Sequence, residues 1–108
     1  MVVFVDDMYL YPMGQFRTMK MSHMIATTTE ELHAFAERIG IARRWFQGDH
    51  YDVSMSLRSR ALDLGAHAVT LRQLGIMCMI RRRHGYLPND PIAAEQLWKI
   101  HVWASKAR

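Results

Sequence analysis

Two places in this chain put carboxylates and imidazoles close enough to act together. The first is the end of "VVFVDD", where Asp6 and Asp7 follow a run of β-branched and aromatic residues. That run is too short for a helix and reads as a buried strand, which fixes the aspartate backbone while the following loop leaves the side chains open to a crevice. Carboxylates so placed serve as metal ligands or general bases. Neighbouring strand residues point to opposite faces, so one of the two is expected in a site. A structural role competes with this, because aspartates also end strands by accepting from the N–H groups that follow.

The second place is "GDHYDVS", residues 48 to 54. His50 and Asp52 are two apart, so in extended chain both side chains emerge on one side and can converge on one ion or one substrate group. A carboxylate beside an imidazole also orients a catalytic histidine and raises its basicity. Here the competing reading is that Asp49 or Asp52 makes a turn ahead of a Ser54 helix cap while His50 packs. His23, among methionines, and His33, one residue off an apolar helical stripe, fit hydrogen-bonded boundary residues. With His50 they also supply enough imidazoles for a transition-metal site, although no HExxH or HxH spacing occurs. His67, His84 and His101 lie on or near expected helix surfaces or in a short strand. The chain has no GxGxxG, Walker-type glycine loop, GxSxG elbow or CxxC, so nothing supports serine nucleophilic catalysis.

The elements that must position these residues belong to one domain. A length of 108 residues, 50% hydrophobic and 22% charged, fits a packed core and argues against disorder. The single cysteine, Cys78, cannot form an internal disulfide, so a reducing compartment, the cytoplasm, is expected. "MVVFVDDMYLY" lacks a basic leader and runs into two aspartates, unlike a signal peptide, and no run approaches the roughly 20 apolar residues that span a bilayer. The net charge is +4, with Arg43, Arg44, Arg58, Arg60, Arg72 and Arg81 to Arg83 in the middle and later parts. That asymmetry permits an anionic small molecule or nucleic acid as partner, while the same arginines also suit solvated helix surfaces and helix C-termini.

Along the chain, "VVFVD" reads as a strand, "MYLYPMGQFR" as a loop punctuated by Pro12 and Gly14, and "TMKMSHMIA" as a strand by its alternation. Thr28 and Glu31 have capping-box spacing before a helix with the stripe Leu32, Phe35, Ala36 and Ile39, ended by Gly40. A short strand is expected around Trp45 and Phe46. Ser54 caps a second helix with Leu57, Ala61 and Leu64 inward, stopped by Gly65. After a strand at "AHAVT", Thr70 and Gln73 start a third helix with Leu71, Leu74, Met77 and Cys78 inward, ending near Gly85. Asp90 and Pro91 open a last helix with Ala93, Leu97, Ile100 and Ala104 on its inner stripe.

Strands alternating with helices predict an α/β fold: a small domain over 1–86, with a three- to four-stranded, mostly parallel sheet and flanking helices. Residues 87–108 form a C-terminal helix packed on the domain or on a partner, with Trp98 and Trp103 favouring a homodimer. Leu32, Phe35, Ile39, Leu57, Leu64 and Leu74 are expected to form one core with Val3 and Val5. In open α/β sheets, ligands gather beyond the carboxyl ends of the strands, where Asp6, Asp7 and the segment around His50 would meet.

The ordered blocks "VFVDD", "MSHMIA", "EELHAFAERIGIARRWFQ", "HYDVS" and "RALDLGA" resemble the bacterial and phage family of unknown function numbered 4031, over roughly residues 2 to 75. The resemblance implies a small intracellular domain of bacterial or phage origin and brings no established activity. It places Asp6, Asp7, His23, His33, Trp45, His50, Tyr51 and Asp52 at the family's recurrent polar and aromatic positions. Together with the residue reading, it leads to an expected pocket of Asp6 or Asp7, His23, His50 and Asp52, with Tyr51 and Trp45 as stacking or orienting walls. His33 is a further ligand-binding candidate, and Lys20 or Arg43 an anion contact. The function expected is hydrolysis of a phosphorylated or nucleotide-like substrate, with Asp6 and Asp52 holding a divalent cation or activating water and His50 as general acid/base. The alternative is a non-catalytic module binding a host protein, nucleic acid or signalling nucleotide through the same pocket.

Overall fold

The computed structural model describes residues 2–85, 87, 88 and 90–106, without the side chains of 100–106. Strand β1 (Val3–Val5) is wholly buried, as a short β-branched and aromatic run requires. The hairpin of β2 (Gln15–Phe16) and β3 (Met19–Ala26) follows. Strand β1 pairs antiparallel with β3, Val5 opposite Met24, and parallel with β5 (His67–Ala68). Strand β3 also pairs antiparallel with β4 (Tyr51–Ser54), placing His23 opposite Asp52 and Met24 opposite Tyr51.

The fold is therefore α/β, but the sheet is mixed and not mostly parallel. Among the described residues, the one parallel pairing is β1 with β5. The physical reason lies in the connections. The link from β1 to β3 contains two 3-10 turns and the β2–β3 hairpin, with no crossover helix to carry the chain back to its starting end. Helix α1 (Thr29–Ile39) does lie between β3 and β4, but the loop after it leads into an antiparallel partner. The strand expected around Trp45 and Phe46 is instead a 3-10 turn over Arg43–Trp45, because Trp45 and Phe46 donate locally to the carbonyls of Ala42 and Arg43.

Helix starts follow the local chemistry. The side chains of Thr28, Ser54 and Thr70 accept from the N–H groups of Glu31, Leu57 and Gln73, opening α1, α2 (Met55–Asp63) and α3 (Leu71–His84). Thr70 and Gln73 form a reciprocal capping box. Gly40 at φ 92° and Gly85 at φ 76° close α1 and α3 in the left-handed region that disfavours a side chain. Helix α4 (Pro91–Lys106) starts with Asp90 Oδ1 accepting from the Ile92 N–H.

The sheet has two apolar faces. On one, Val3, Val5, Met24, Ala26, Tyr51 and Val53 pack with Leu32, Phe35 and Ile39 of α1 and Ala61 of α2. On the other, Phe4 and Ile25 pack with Leu74 and Met77 of α3 and Ala94 of α4. Leu74 thus belongs to a different core from Val3 and Val5, because α3 covers the opposite face. Leu64, expected inward, lies at the α2 C-cap and is 40% exposed. In α4 it is Ala94 that is fully buried, and Ala93 is only half-buried. The side chains expected inward at Ile100 and Ala104, and that of Trp103, fall outside the described residues. No helix among the described residues is long and apolar enough to cross a membrane. By alternation, His23 and Asp52 project from the face opposite Met24 and Tyr51, towards α3.

Candidate metal centre

Asp6 follows β1 on the side of Phe4 and meets His23 of β3. It is 0% exposed and both carboxylate oxygens are engaged. Oδ1 accepts from the backbone N–H of His23 at 2.8 Å and of Met8 at 3.1 Å, and Oδ2 lies 2.8 Å from His23 Nδ1. Arg58 of α2 donates from Nε to the Asp6 carbonyl at 2.8 Å, tying down the strand end. An ionised carboxylate can only accept, so the His23 ring carries a proton on Nδ1 and, when neutral, turns a lone pair outward at Nε2. The hydrogen bond to Asp6 holds His23 above the ordinary imidazole range; desolvation opposes it, and the charges of Asp6, Asp52 and Asp49 reinforce it.

His50, just before β4, repeats the arrangement. Its Nδ1 lies 2.6 Å from Asp49 Oδ1, and Asp49 Oδ2 accepts from Arg82 of α3 at 3.1 Å (Nε) and 2.7 Å (Nη2). Burial pushes the Asp49 carboxyl up, but hydrogen bonds from His50 and Arg82, with the charges of both, outweigh it and hold the group below the usual carboxylate range. The two rings stand edge to face, centroids 4.9 Å apart.

Both Nε2 atoms face one oxygen. Asp52 Oδ1 is 3.6 Å from His50 Nε2 and 3.9 Å from His23 Nε2, and the three residues offer ligand atoms all within 4.8 Å of one another. Atoms sharing one ion at about 2.1 Å lie at most about 4.2 Å apart, so both contacts with Asp52 fall inside that span. The other Asp52 oxygen accepts from Gln47 Nε2 at 2.6 Å. Two imidazoles and a carboxylate, each imidazole backed at Nδ1 by a second carboxylate, form the donor set that divalent transition ions take.

The remaining residues singled out by the sequence are placed as follows. Asp7 Oδ1 accepts from the Leu71 N–H at 2.7 Å and secures the start of α3, away from the cluster. Tyr51 lies on the opposite side of β4, buried, with its hydroxyl 2.6 Å from His33 Nδ1, so neither Tyr51 nor His33 walls the pocket. The alternation that joins His50 to Asp52 excludes Tyr51 between them. Lys20 is exposed in the hairpin opposite Gln15, and Arg43 pairs with Glu37 at 3.4 Å on the surface. Asp6 reaches the cluster through His23 and is not among the three grouped residues His23, His50 and Asp52.

The sequence does not single out Gln47, and it marks Asp49 only as a turn former and Arg82 only as part of the arginine run, yet all three bond to the cluster. The adjacency of Asp49 to His50 was a usable signal, whereas Arg82 stands 33 positions from its partner with nothing local to mark it. Beside the cluster lies a cavity of about 760 Å³ whose lining includes Met8, Phe16, Met21, Ile41 and Trp45 and reaches Gln47 and Asp52.

A mixed sheet flanked by helices, with two carboxylate-backed histidines turned to one aspartate, defines a small α/β domain bearing an Asp/His cluster. The chain belongs to the family described as "Protein of unknown function (DUF4031)", whose model matches residues 3–82. The match takes in β1 to β5 and every member of the cluster, ending within α3 at Arg82. No curated protein and no solved structure matches the chain.

Proposed function

We propose that the chain is a metal-dependent hydrolase of phosphorylated or nucleotide-like substrates, with a divalent ion held by Nε2 of His23, Nε2 of His50 and Oδ1 of Asp52. The observation that carries this reading is the convergence of both imidazole Nε2 atoms on one carboxylate oxygen while aspartates occupy both Nδ1 positions. A divalent ion in such a site supplies Lewis acidity towards a phosphoryl oxygen and activates water at neutral pH. Three protein ligands leave coordination positions open for water and substrate. Asp6 and Asp49 fix the tautomers and orient the rings, and Gln47 sets the rotation of Asp52. Arg82, exposed, pairs with Asp49 at 2.7 Å and holds the carboxylate that anchors His50. His50 acts here as a ligand, which replaces its expected role as general acid/base.

Zinc and manganese titrations of the full chain by calorimetry test the centre. One ion per chain is expected, and His23→Ala or His50→Ala should weaken binding by more than about a hundredfold, beyond the 10–100-fold typical of an outer-shell change. No uptake, or uptake unaffected by both substitutions, would overturn the site. Metal-dependent phosphate release from a panel of phosphomonoesters and phosphodiesters tests the chemistry. The exposed Leu10, Tyr11, Met13, Phe16, Met19 and Trp45 favour a second reading, a non-catalytic binding module. Metal uptake without turnover across that panel would select it.

A further inference from the structure

Resting on that reading, we infer that the cavity beside the centre is a ring-binding subsite: it takes the planar aromatic part of a phosphorylated substrate and presents the phosphoryl group to His23, His50 and Asp52. Its volume of about 760 Å³ suits a small molecule. Its lining includes Met8, Met21, Phe16 and Trp45, residue types whose polarisable sulfur and aromatic faces suit an aromatic ring. Trp45 is 59% exposed and carries the Arg44 guanidinium 5.5 Å from its ring centroid. Arg44 also lines the cavity and gives it a cation for an anionic ligand.

Continuity with the centre is the second argument. Asp52 belongs to both, offering Oδ1 to the histidines and Oδ2 to Gln47, which itself lines the cavity. The cleft therefore reaches one residue of the centre, Asp52, next to which His23 and His50 stand. The wall is also held in place by backbone. A Cβ at Gly14 would stand 2.1 Å from the Met8 carbonyl oxygen, so segment 8–14 folds on itself more closely than a side chain allows. The shared chemistry is a ring joined to a phosphoryl group, which a nucleoside monophosphate and a simple aryl phosphate both have.

Non-hydrolysable phosphonates test this on the zinc-loaded full chain: methylphosphonate, phenylphosphonate and a nucleoside 5′-methylenephosphonate, with affinities read by calorimetry. The ring-bearing probes should bind on the order of tenfold tighter than methylphosphonate, as stacking on aromatic side chains provides. Trp45→Ala and Phe16→Ala, both at exposed positions, should each remove most of that advantage and leave zinc affinity unchanged. A nucleoside probe stronger than phenylphosphonate assigns a nucleobase, and the reverse order assigns an aryl ester. Equal affinity of all three probes, or an advantage that survives both substitutions, overturns the subsite. Zinc bound without ring preference overturns the subsite and leaves the centre standing, whereas ring preference in a chain that takes up no zinc overturns the centre and leaves the subsite.

Discussion

Strand β4 separates two clusters made of similar residue types. On one side, His33 is anchored at Nδ1 by the Tyr51 hydroxyl at 2.6 Å, and Phe46 stands edge-on to its ring at 4.6 Å. On the other, His23 and His50 are anchored at Nδ1 by Asp6 and Asp49 at 2.8 and 2.6 Å, and their Nε2 atoms face Asp52. All three imidazoles are half-buried, so burial does not tell them apart. The charge of the anchor does. A carboxylate fixes the proton on Nδ1 and makes Nε2 a better donor to a cation, whereas a phenol adds no charge. One step along a strand is enough to divide packing from chemistry, because side chains alternate between faces.

The separation is broken most forcefully from the packed side. Phe35 is nearly fully buried in the cluster that includes Val3, Val5 and Tyr51. Phe35→Ala should cost about 3 to 5 kcal/mol by chemical denaturation through lost burial and the cavity left behind. The folded fraction should still bind zinc with unchanged affinity, since the proposed ligands project from the other face. A parallel loss of zinc affinity would mean that the two sides share one mechanical unit.

How much of this division the sequence carries depends on the range of the interaction. Local chemistry was readable: the caps at Thr28, Ser54 and Thr70, and the alternation that puts His23 on one face of β3. Whether a carboxylate is a ligand or a support was not. Asp6 stands beside His23 because Val5 pairs with Met24, a register set between strands nearly twenty positions apart. Arg82 reaches Asp49 because α3 docks on that face, which the arginine run does not encode. The aromatic pair Trp45 and Phe46 has strand propensity, but local N–H to carbonyl bonds win where no strand partner is at hand. The block "HYDVS" mixes both roles, since Tyr51 packs while His50 and Asp52 face the cluster.

A smaller change sharpens the comparison from the polar side. Asp49→Asn keeps the shape of the His50 anchor and removes its charge. The amide can also donate to Nδ1, which would leave the proton on Nε2 and spoil the ligand. Zinc affinity should fall by about 10–100-fold, the range for a carboxylate behind a ligating histidine. An unchanged affinity would show that the charge of the anchor is not what distinguishes His50 from His33.

The smallest change tests the other anchor. Tyr51→Phe deletes one hydroxyl from a side chain that is 0% exposed and leaves the ring in place, so no cavity of consequence opens. What is lost is the 2.6 Å hydrogen bond to His33. A neutral hydrogen bond contributes about 0.5 to 1.5 kcal/mol net, and the half-buried His33 can turn its Nδ1 towards water, so the lower half of that range is expected in a urea titration. Zinc affinity should not move, because Tyr51 and Asp52 leave β4 on opposite faces. If Tyr51→Phe instead weakened zinc binding as much as Asp49→Asn, the two clusters would be coupled through the strand, and charge at Nδ1 would no longer explain why the proposed cation site lies on one side and packing on the other.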